Sequence, residues 1–246
     1  MSGEVKEENK IVIITGAFRG IGNMIFRHLQ KSFIVWPICR TLSQKRRLEE
    51  HYQHAHPETL VFHGDLRMPA TVQKIANMCK KKNVSPYAVI HCSGPITYTS
   101  CSIPEWNIWE KQTEDNLAPS IHLIKTLSER MKSGRIVMFA FSGVDTHRGF
   151  KNIAAYAAAK ESVVVLARAA AKKLADKGIT VNVIAPGVFL TETGKIPAYG
   201  KTMLPSIPAN RFGTSEDICG VVDWLLSDES AYVTGQIIKV SGGLHI

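Results

Sequence analysis

The sequence predicts an α/β fold of the doubly wound kind, a single domain on a seven-stranded parallel sheet with helices on both faces. Two observations carry this. Short runs rich in β-branched residues alternate with segments of helical spacing from one end of the 246 residues to the other, which implies right-handed crossovers and a parallel sheet. A glycine-rich turn, TGAFRGIG, sits between the first such run and the first helical segment, and no linker divides the chain.

The strand runs are 10–15 (KIVIIT), 32–39 (SFIVWPIC), 59–64 (TLVFHG), 87–92 (YAVIHC), 134–141 (GRIVMFAF), 179–185 (ITVNVIA) and 235–242 (GQIIKVSG). Helical spacing is found near 20–31, 43–55, 69–82, 104–131, 153–177 and 214–227. In sheets of this kind ligands bind beyond the carboxyl ends of the strands, so the residues just after each strand are the candidate site. Residues 187–213 hold three prolines, four glycines and little periodicity, which predicts an irregular loop covering the substrate.

An apolar content of 45% is that of an ordinary globular chain, and no apolar run reaches the roughly 20 residues of a membrane span. The N-terminus MSGEVKEENK is polar and acidic where a secretory signal is basic and then apolar, so a cytoplasmic protein is expected. Cys39, Cys79, Cys92, Cys101 and Cys219 are odd in number and form no CxxC, as buried thiols in a reducing compartment would. The net charge of +9 calls for an anionic partner. Its clusters (Lys45, Arg46 and Arg47; Lys80, Lys81 and Lys82; Lys172, Lys173 and Lys177) have no interleaved aromatics, which argues against nucleic acid, and the first two read as solvated helix faces. His51, His54 and His56 lack a further ligand at a zinc spacing, so no metal site is expected.

Gly16, Gly20 and Gly22 permit a tight turn through which the backbone approaches a pyrophosphate, and the helix N-terminus behind them attracts it. An NAD site needs an acid near the end of the second strand, yet none occurs from Asn9 to Leu48. Arg19 in the turn and Arg40 at the strand end instead suit a 2′-phosphate, which predicts NADP(H). Tyr156 and Lys160 are four apart in YAAAK, on one helix face with open alanine around them. A phenol titrates near about 10, and a neighbouring ammonium favours its ionised form, which suits acid–base work.

With TGAFRGIG, Asp65 in GDL, Asn116 in EDNLAPS, YAAAK, APGVFLT and AYVTGQIIKVSGG in order, the chain resembles the short-chain dehydrogenase/reductase family over essentially its whole length. By NRFGTSEDI and by length it looks most like the 3-oxoacyl-(acyl carrier protein) reductase type. The resemblance implies a Rossmann-type NADP-binding domain over residues 1–246, with Tyr156 as proton donor or acceptor, Lys160 as its activator and ribose ligand, and Asn116 supporting a relay water. It also implies that Ile21 in the glycine turn, Ser93 and Gly94 lie along the cofactor. Asp65 and Leu66 are expected at the adenine, Pro186, Gly187 and Val188 beside the nicotinamide, and Thr191 near the carboxamide or pyrophosphate. For Asp65, a helix N-cap ahead of Pro69 competes with that role.

Two departures from the family pattern stand out. HCSG (His91, Cys92, Ser93, Gly94) replaces the usual Asn-Asn-Ala-Gly turn, keeping only the glycine. The family's serine, thirteen residues before the tyrosine, falls on Gly143, whereas Ser142 is fourteen before; Ser142 is taken as the catalytic hydroxyl across a loop longer by one residue.

The expected activity is NADPH-dependent reduction of a carbonyl to an alcohol, with 3-oxoacyl thioesters on an acyl carrier protein, in fatty acid synthesis, as the leading substrates. Arg130, Lys172 and Lys177 are expected to flank the site and receive the acidic carrier. The alternatives are a reductase of a small free ketone, quinone, steroid or pteridine, and a cofactor-binding scaffold with weakened turnover. A homotetramer is expected, partly through the alanine- and valine-rich helix that bears Tyr156.

Overall fold

The computed structural model describes residues 10–51, 56–99, 105–196 and 200–245. Seven parallel strands form one sheet: β1 (Ile11–Thr15), β2 (Ile34–Cys39), β3 (Phe62–His63), β4 (Pro86–His91), β5 (Gly134–Phe139), β6 (Ile179–Pro186) and β7 (Ile237–Val240), in the order β3-β2-β1-β4-β5-β6-β7. β1, β2 and β5 are buried at every residue, and their side chains alternate between two cores. Ile11, Ile13, Ile136 and Met138 face one core, and Val12, Ile14, Val137 and Phe139 face the other.

The first core is covered by α3 (Pro69–Lys82), α5 (Ala118–Leu127) and α6 (Ala154–Leu174), through residues such as Val72, Leu123 and Val163. The second is covered by α1 (Gly20–Leu29), α2 (Leu42–His51) and α8 (Ser215–Leu226), through residues such as Phe26, Leu48 and Val222. Because β1 pairs with both β2 and β4, the strand order reverses beside it, and a crevice opens there at the carboxyl ends.

Three elements differ from the sequence expectation. β3 is two residues long rather than six: Pro37 interrupts the donors of β2, and pairing with β3 begins only after it, at Ile38. The helix expected over 104–131 is two helices, α4 (Trp106–Asn116) and α5, meeting at Leu117, because Pro119 has no N–H to return to Asp115. The loop at 187–213 carries regular structure among its described residues. It contains α7 (Gly200–Met203) and a 3₁₀ turn at Leu204–Ser206, and Val188, Ile207 and Phe212 pack with Leu244 into a small core of their own.

No helix among the described residues is long and apolar enough to cross a membrane, and none of their His, Cys, Asp and Glu side chains cluster as a metal site would require. His54 and Cys101 lie outside the described residues. Cys39, Cys79 and Cys219 are buried, and Cys92 is half-buried.

Candidate active site

The glycine turn is fixed by what lies against it. Gly16 has φ +72°, and a Cβ there would stand 3.1 Å from the Cys92 carbonyl carbon and 3.2 Å from the Ser93 amide. Gly22 packs so closely on the same turn that its Cβ would fall 2.4 Å from the Gly16 carbonyl oxygen. Asn23 Nδ2 braces the turn by donating to the Ala17 carbonyl at 2.9 Å. Ile21 lies in the first turn of α1, packed against the core behind it.

Beside this turn, β4 ends in a hydrogen-bonded chain. Ser93 Oγ donates to Thr15 Oγ1 at 3.0 Å, and Thr15 Oγ1 is 2.7 Å from His91 Nδ1. Burial, with help from the charge of Lys160, pushes the His91 pKa down to about 3, so the ring is neutral and shares a single hydrogen bond with Thr15 through Nδ1. Nε2 is buried without a partner. The Cys92 thiol is pushed up by burial and stays protonated. HCSG therefore supplies a structural hydrogen-bond chain and no thiol–imidazole pair.

Two side chains converge over Gly94, which has φ +146°. A Cβ there would fall 2.4 Å from Asn116 Oδ1 and 2.8 Å from Lys160 Nζ. Asn116 is held by donating Nδ2 to the Pro95 and Gln112 carbonyls, both at 3.1 Å, which leaves its buried Oδ1 without a partner and turned toward the lysine. Lys160 Nζ donates to the Phe139 carbonyl at 2.9 Å and lies 5.9 Å from the centre of the Tyr156 ring. Burial lowers the Lys160 pKa to about 8, with Cys92 opposing the shift. A buried acceptor facing an ammonium suits a bridging water.

The segment after β5 departs from the expected geometry. Ser142 is buried, and its Oγ is 2.9 Å from His245 Nδ1 near the end of the chain. The ring of Phe141 is the one against Tyr156, at 5.4 Å between centroids, and Phe150 packs edge-on to Phe141 at 5.1 Å. A Cβ on Gly143 would fall 2.4 Å from both phenylalanine rings, so no side chain fits at the family's serine position.

At the other end of the cleft, Asp65 is not a helix cap: α3 is capped at Met68 without a side-chain bond, and the Asp65 carboxylate is gripped by Arg67 at 2.6 Å. That bond holds its pKa below the usual carboxylate range. Arg40 Nη2 stands 3.9 Å from the same carboxylate and is largely exposed. Arg19, Arg40, Asp65, Leu66, Ser93 and Gly94 line one cleft of about 300 Å³ with Gly16 and Arg67. Arg47, expected on a solvated face, instead lies 5.1 Å over the Phe18 ring of the glycine turn. A larger cavity of about 740 Å³ lies between α1 and α8 and is lined by Thr191 and Glu192; the smaller cleft is the one that reaches Gly94, over which Asn116 and Lys160 meet.

After β6, Gly187 donates to the Val240 carbonyl at 2.9 Å, and its Cβ would fall 2.8 Å from Ser241 Cα, so the backbone from Pro186 to Val188 runs tight against β7. The Thr191 hydroxyl is engaged locally, by Thr193 Oγ1 at 3.0 Å and by the Lys195 amide at 3.0 Å. The expectation for Arg130, Lys172 and Lys177 is not met within one chain. Lys172 is 16 residues along α6 from Tyr156, about 24 Å at 1.5 Å per residue. The Arg130 carbonyl accepts from Ser85 just before β4, and Lys177 precedes β6, so these cations lie at the amino end of the sheet, opposite the cleft.

Arg67, Phe141, Glu192 and His245 are the site residues that sequence reasoning missed. The Asp-x-Arg spacing of Asp65 and Arg67 was a signal for the first. For the others the contacts are too distant in sequence to be read.

A glycine turn at the reversal of a parallel sheet, with a buried Tyr–Lys pair at the next strand ends, defines a nucleotide-dependent oxidoreductase. The chain belongs to the short-chain dehydrogenase/reductase family, whose members act on alcohol and carbonyl groups with a nicotinamide cofactor: a family model described as enoyl-(acyl carrier protein) reductase matches residues 16–245. The 3-oxoacyl-(acyl carrier protein) reductase of Escherichia coli (strain K12) is 28% identical over 244 residues, covering 97% of this chain and 98% of that protein. The enzyme of the same name from Aggregatibacter actinomycetemcomitans is 30% identical over 247 residues, covering 96% and 99%. Among solved structures, a short-chain type dehydrogenase/reductase from Mycobacterium ulcerans superposes with a TM-score of 0.86 at 21% identity, covering 98% of this chain and 91% of that one. Actinorhodin polyketide ketoreductase with NADPH gives 0.85 at 23% identity, covering 98% and 99%.

Proposed function

We propose that this protein is an NADPH-dependent reductase of 3-oxoacyl thioesters carried on an acyl carrier protein, a step of fatty acid synthesis. The observation that carries the reductase reading is the convergence of Asn116 Oδ1 and Lys160 Nζ over Gly94, one helical turn from Tyr156. The acyl-carrier reading rests on the names of the relatives at 28–30% identity. NADPH is favoured by Arg19 and Arg40 at a cleft whose two lining acids, Asp65 and Asp115, are already paired with Arg67.

The residues present fit the cofactor. Gly16 and Gly94 leave backbone where a Cβ would collide, and the amides of α1 open without an acid of their own helix. When bound, the nicotinamide supplies the hydride. Tyr156 gives its hydroxyl proton to the carbonyl oxygen, and Lys160 favours the phenolate left behind and holds the ribose. Asn116 Oδ1 holds the water that returns a proton along Lys160. Ser142 steadies the carbonyl oxygen, its hydroxyl oriented by His245. Leu66 and Asp65 in the cleft would hold the adenine, and Ser93, with Pro186, Gly187, Val188 and Thr191 from the segment after β6, would hold the remainder of the cofactor.

A homotetramer formed partly through α6 completes the proposal, and it offers the one route by which Arg130, Lys172 and Lys177 would meet a carrier bound at another subunit's cleft. A second reading, a reductase of free ketones with apolar or aromatic groups, is favoured by the phenylalanine pair beside Tyr156. Oxidation of NADPH by 3-oxoacyl thioesters on carrier protein, measured beside free ketones, separates the two. No carbonyl-dependent oxidation with either would leave a cofactor-binding scaffold.

A further inference from the structure

Glu192 lies in the turn that follows β6, and its Oε2 accepts the Gly20 amide at 2.7 Å. Gly20 opens α1, whose first turn contains no acid and whose N-cap Arg19 donates no side-chain acceptor. The amides and positive end of such a helix attract anions. This helix begins at the carboxyl end of β1 beside the reversal of strand order, where the pyrophosphate of a dinucleotide belongs. A carboxylate of the chain itself therefore sits on the phosphate-binding amide.

The turn that carries Glu192 is a self-contained unit. Thr191 N donates to the Lys195 carbonyl at 2.8 Å, Gly194 N to the Thr191 carbonyl at 2.8 Å, and Lys195 N to Thr191 Oγ1 at 3.0 Å. It borders the cavity between α1 and α8, which Arg27 and Lys31 also line, together with Glu216 and with Asp223 bonded to His28, so a carboxylate leaving Gly20 finds two cations beside it.

We propose that Glu192 is an internal phosphate surrogate, a latch that pins the 191–195 turn to the glycine turn and is displaced when the pyrophosphate of the cofactor arrives. The proposal rests on the reading of this cleft as a dinucleotide site. Two anions cannot share one amide without strong repulsion, so cofactor binding and release of the turn are one coupled event. The apparent cofactor affinity is then lower than that of the open site by the fraction of molecules already unlatched.

The test is titration calorimetry on the full chain, wild type against Glu192→Gln and Glu192→Ala, with NADPH and separately with inorganic pyrophosphate. Both variants are expected to bind NADPH about three- to ten-fold more tightly and pyrophosphate more tightly by a similar factor, because the latch competes with any anion at Gly20. Hydrogen exchange supplies a second reading: the Gly20 amide should exchange faster in Glu192→Ala than in wild type, and NADPH should restore its protection in the variant. If Glu192→Ala fails to fold, the nearly isosteric Glu192→Gln decides. Unchanged or weaker affinity for both ligands overturns the latch. Failure of wild type to bind NADPH overturns the cofactor reading instead, and the pyrophosphate comparison still judges the latch.

Discussion

Ser142 and His245, 103 residues apart, are joined by a hydrogen bond of 2.9 Å between Oγ and Nδ1. Burial, together with Arg148 and Lys239, lowers the His245 pKa, so the ring is neutral and has one proton to place. With that proton on Nδ1, His245 donates to the serine and leaves the serine proton free for a carbonyl oxygen. Ser142→Ala should then lower turnover about 10² to 10³-fold with little change in cofactor affinity. His245→Ala should lower it about ten-fold, and the double variant should be no slower than Ser142→Ala alone. A Ser142→Ala enzyme at wild-type rate, with Tyr156→Phe inactive, would show that this loop provides no hydroxyl to the reaction. Gly143→Ser cannot repair such a loss, since Phe141 and Phe150 fill the space its Cβ needs.

The cofactor preference should follow the arginines. Arg40 is largely exposed, and its one ion pair among the described residues, to Asp65, is long at 3.9 Å, so its guanidinium is free to turn to a 2′-phosphate. NADPH is expected to bind at least about ten-fold more tightly than NADH, about 1.4 kcal/mol, and Arg40→Asp should abolish or reverse the preference. Arg67→Ala should weaken it as well, because it frees Asp65 to compete for Arg40. Equal dissociation constants for the two cofactors in wild type would remove the NADPH assignment.

The sheet was legible because its order follows from local pattern: β-branched runs buried on both faces, separated by helices, leave little choice of topology. Tyr156 and Lys160 were legible because helical spacing places them. Local pattern could not show that Pro37 would delay the pairing of β3, since that depends on a neighbour 25 residues away. Nor could it place Ser142, whose partner is at the far end of the chain. The basic residues misled for a geometric reason: Lys172 shares a helix with Tyr156, but a helix of 21 residues runs from the carboxyl ends of the strands to their amino ends.

Assembly should depend on the outer face of α6. Ala158, Val165 and Ala169 are exposed at helical spacing along it, and Val165 is 67% exposed, unusual for a valine inside a long helix. Ile121 on α5 is exposed as well. If α6 joins subunits, Val165→Glu should convert the tetramer to smaller species in light scattering while circular dichroism remains that of the folded chain. A wild-type monomer at micromolar concentration would end the tetramer proposal.

Lys160 should cost the folded protein stability, and the cost should depend on pH in a direction fixed by its shift. Its folded pKa of about 8 lies below the ordinary 10.5, so the native state holds the charged form less willingly than the unfolded chain does. Below about pH 8 both states are protonated and the native state bears the whole penalty. Between about 8 and 10.5 the native lysine is neutral while the unfolded one is charged, so this group makes the protein more stable as pH rises. Lys160→Met removes the penalty, and despite losing the bond to the Phe139 carbonyl it should be more stable than wild type at pH 7, by about 1–3 kcal/mol, while losing turnover. The difference should shrink steadily as denaturant midpoints are measured from pH 7 toward pH 10. A difference that is constant over that range would mean that Lys160 titrates normally in the folded protein, and that its ammonium is not held under strain beside Tyr156.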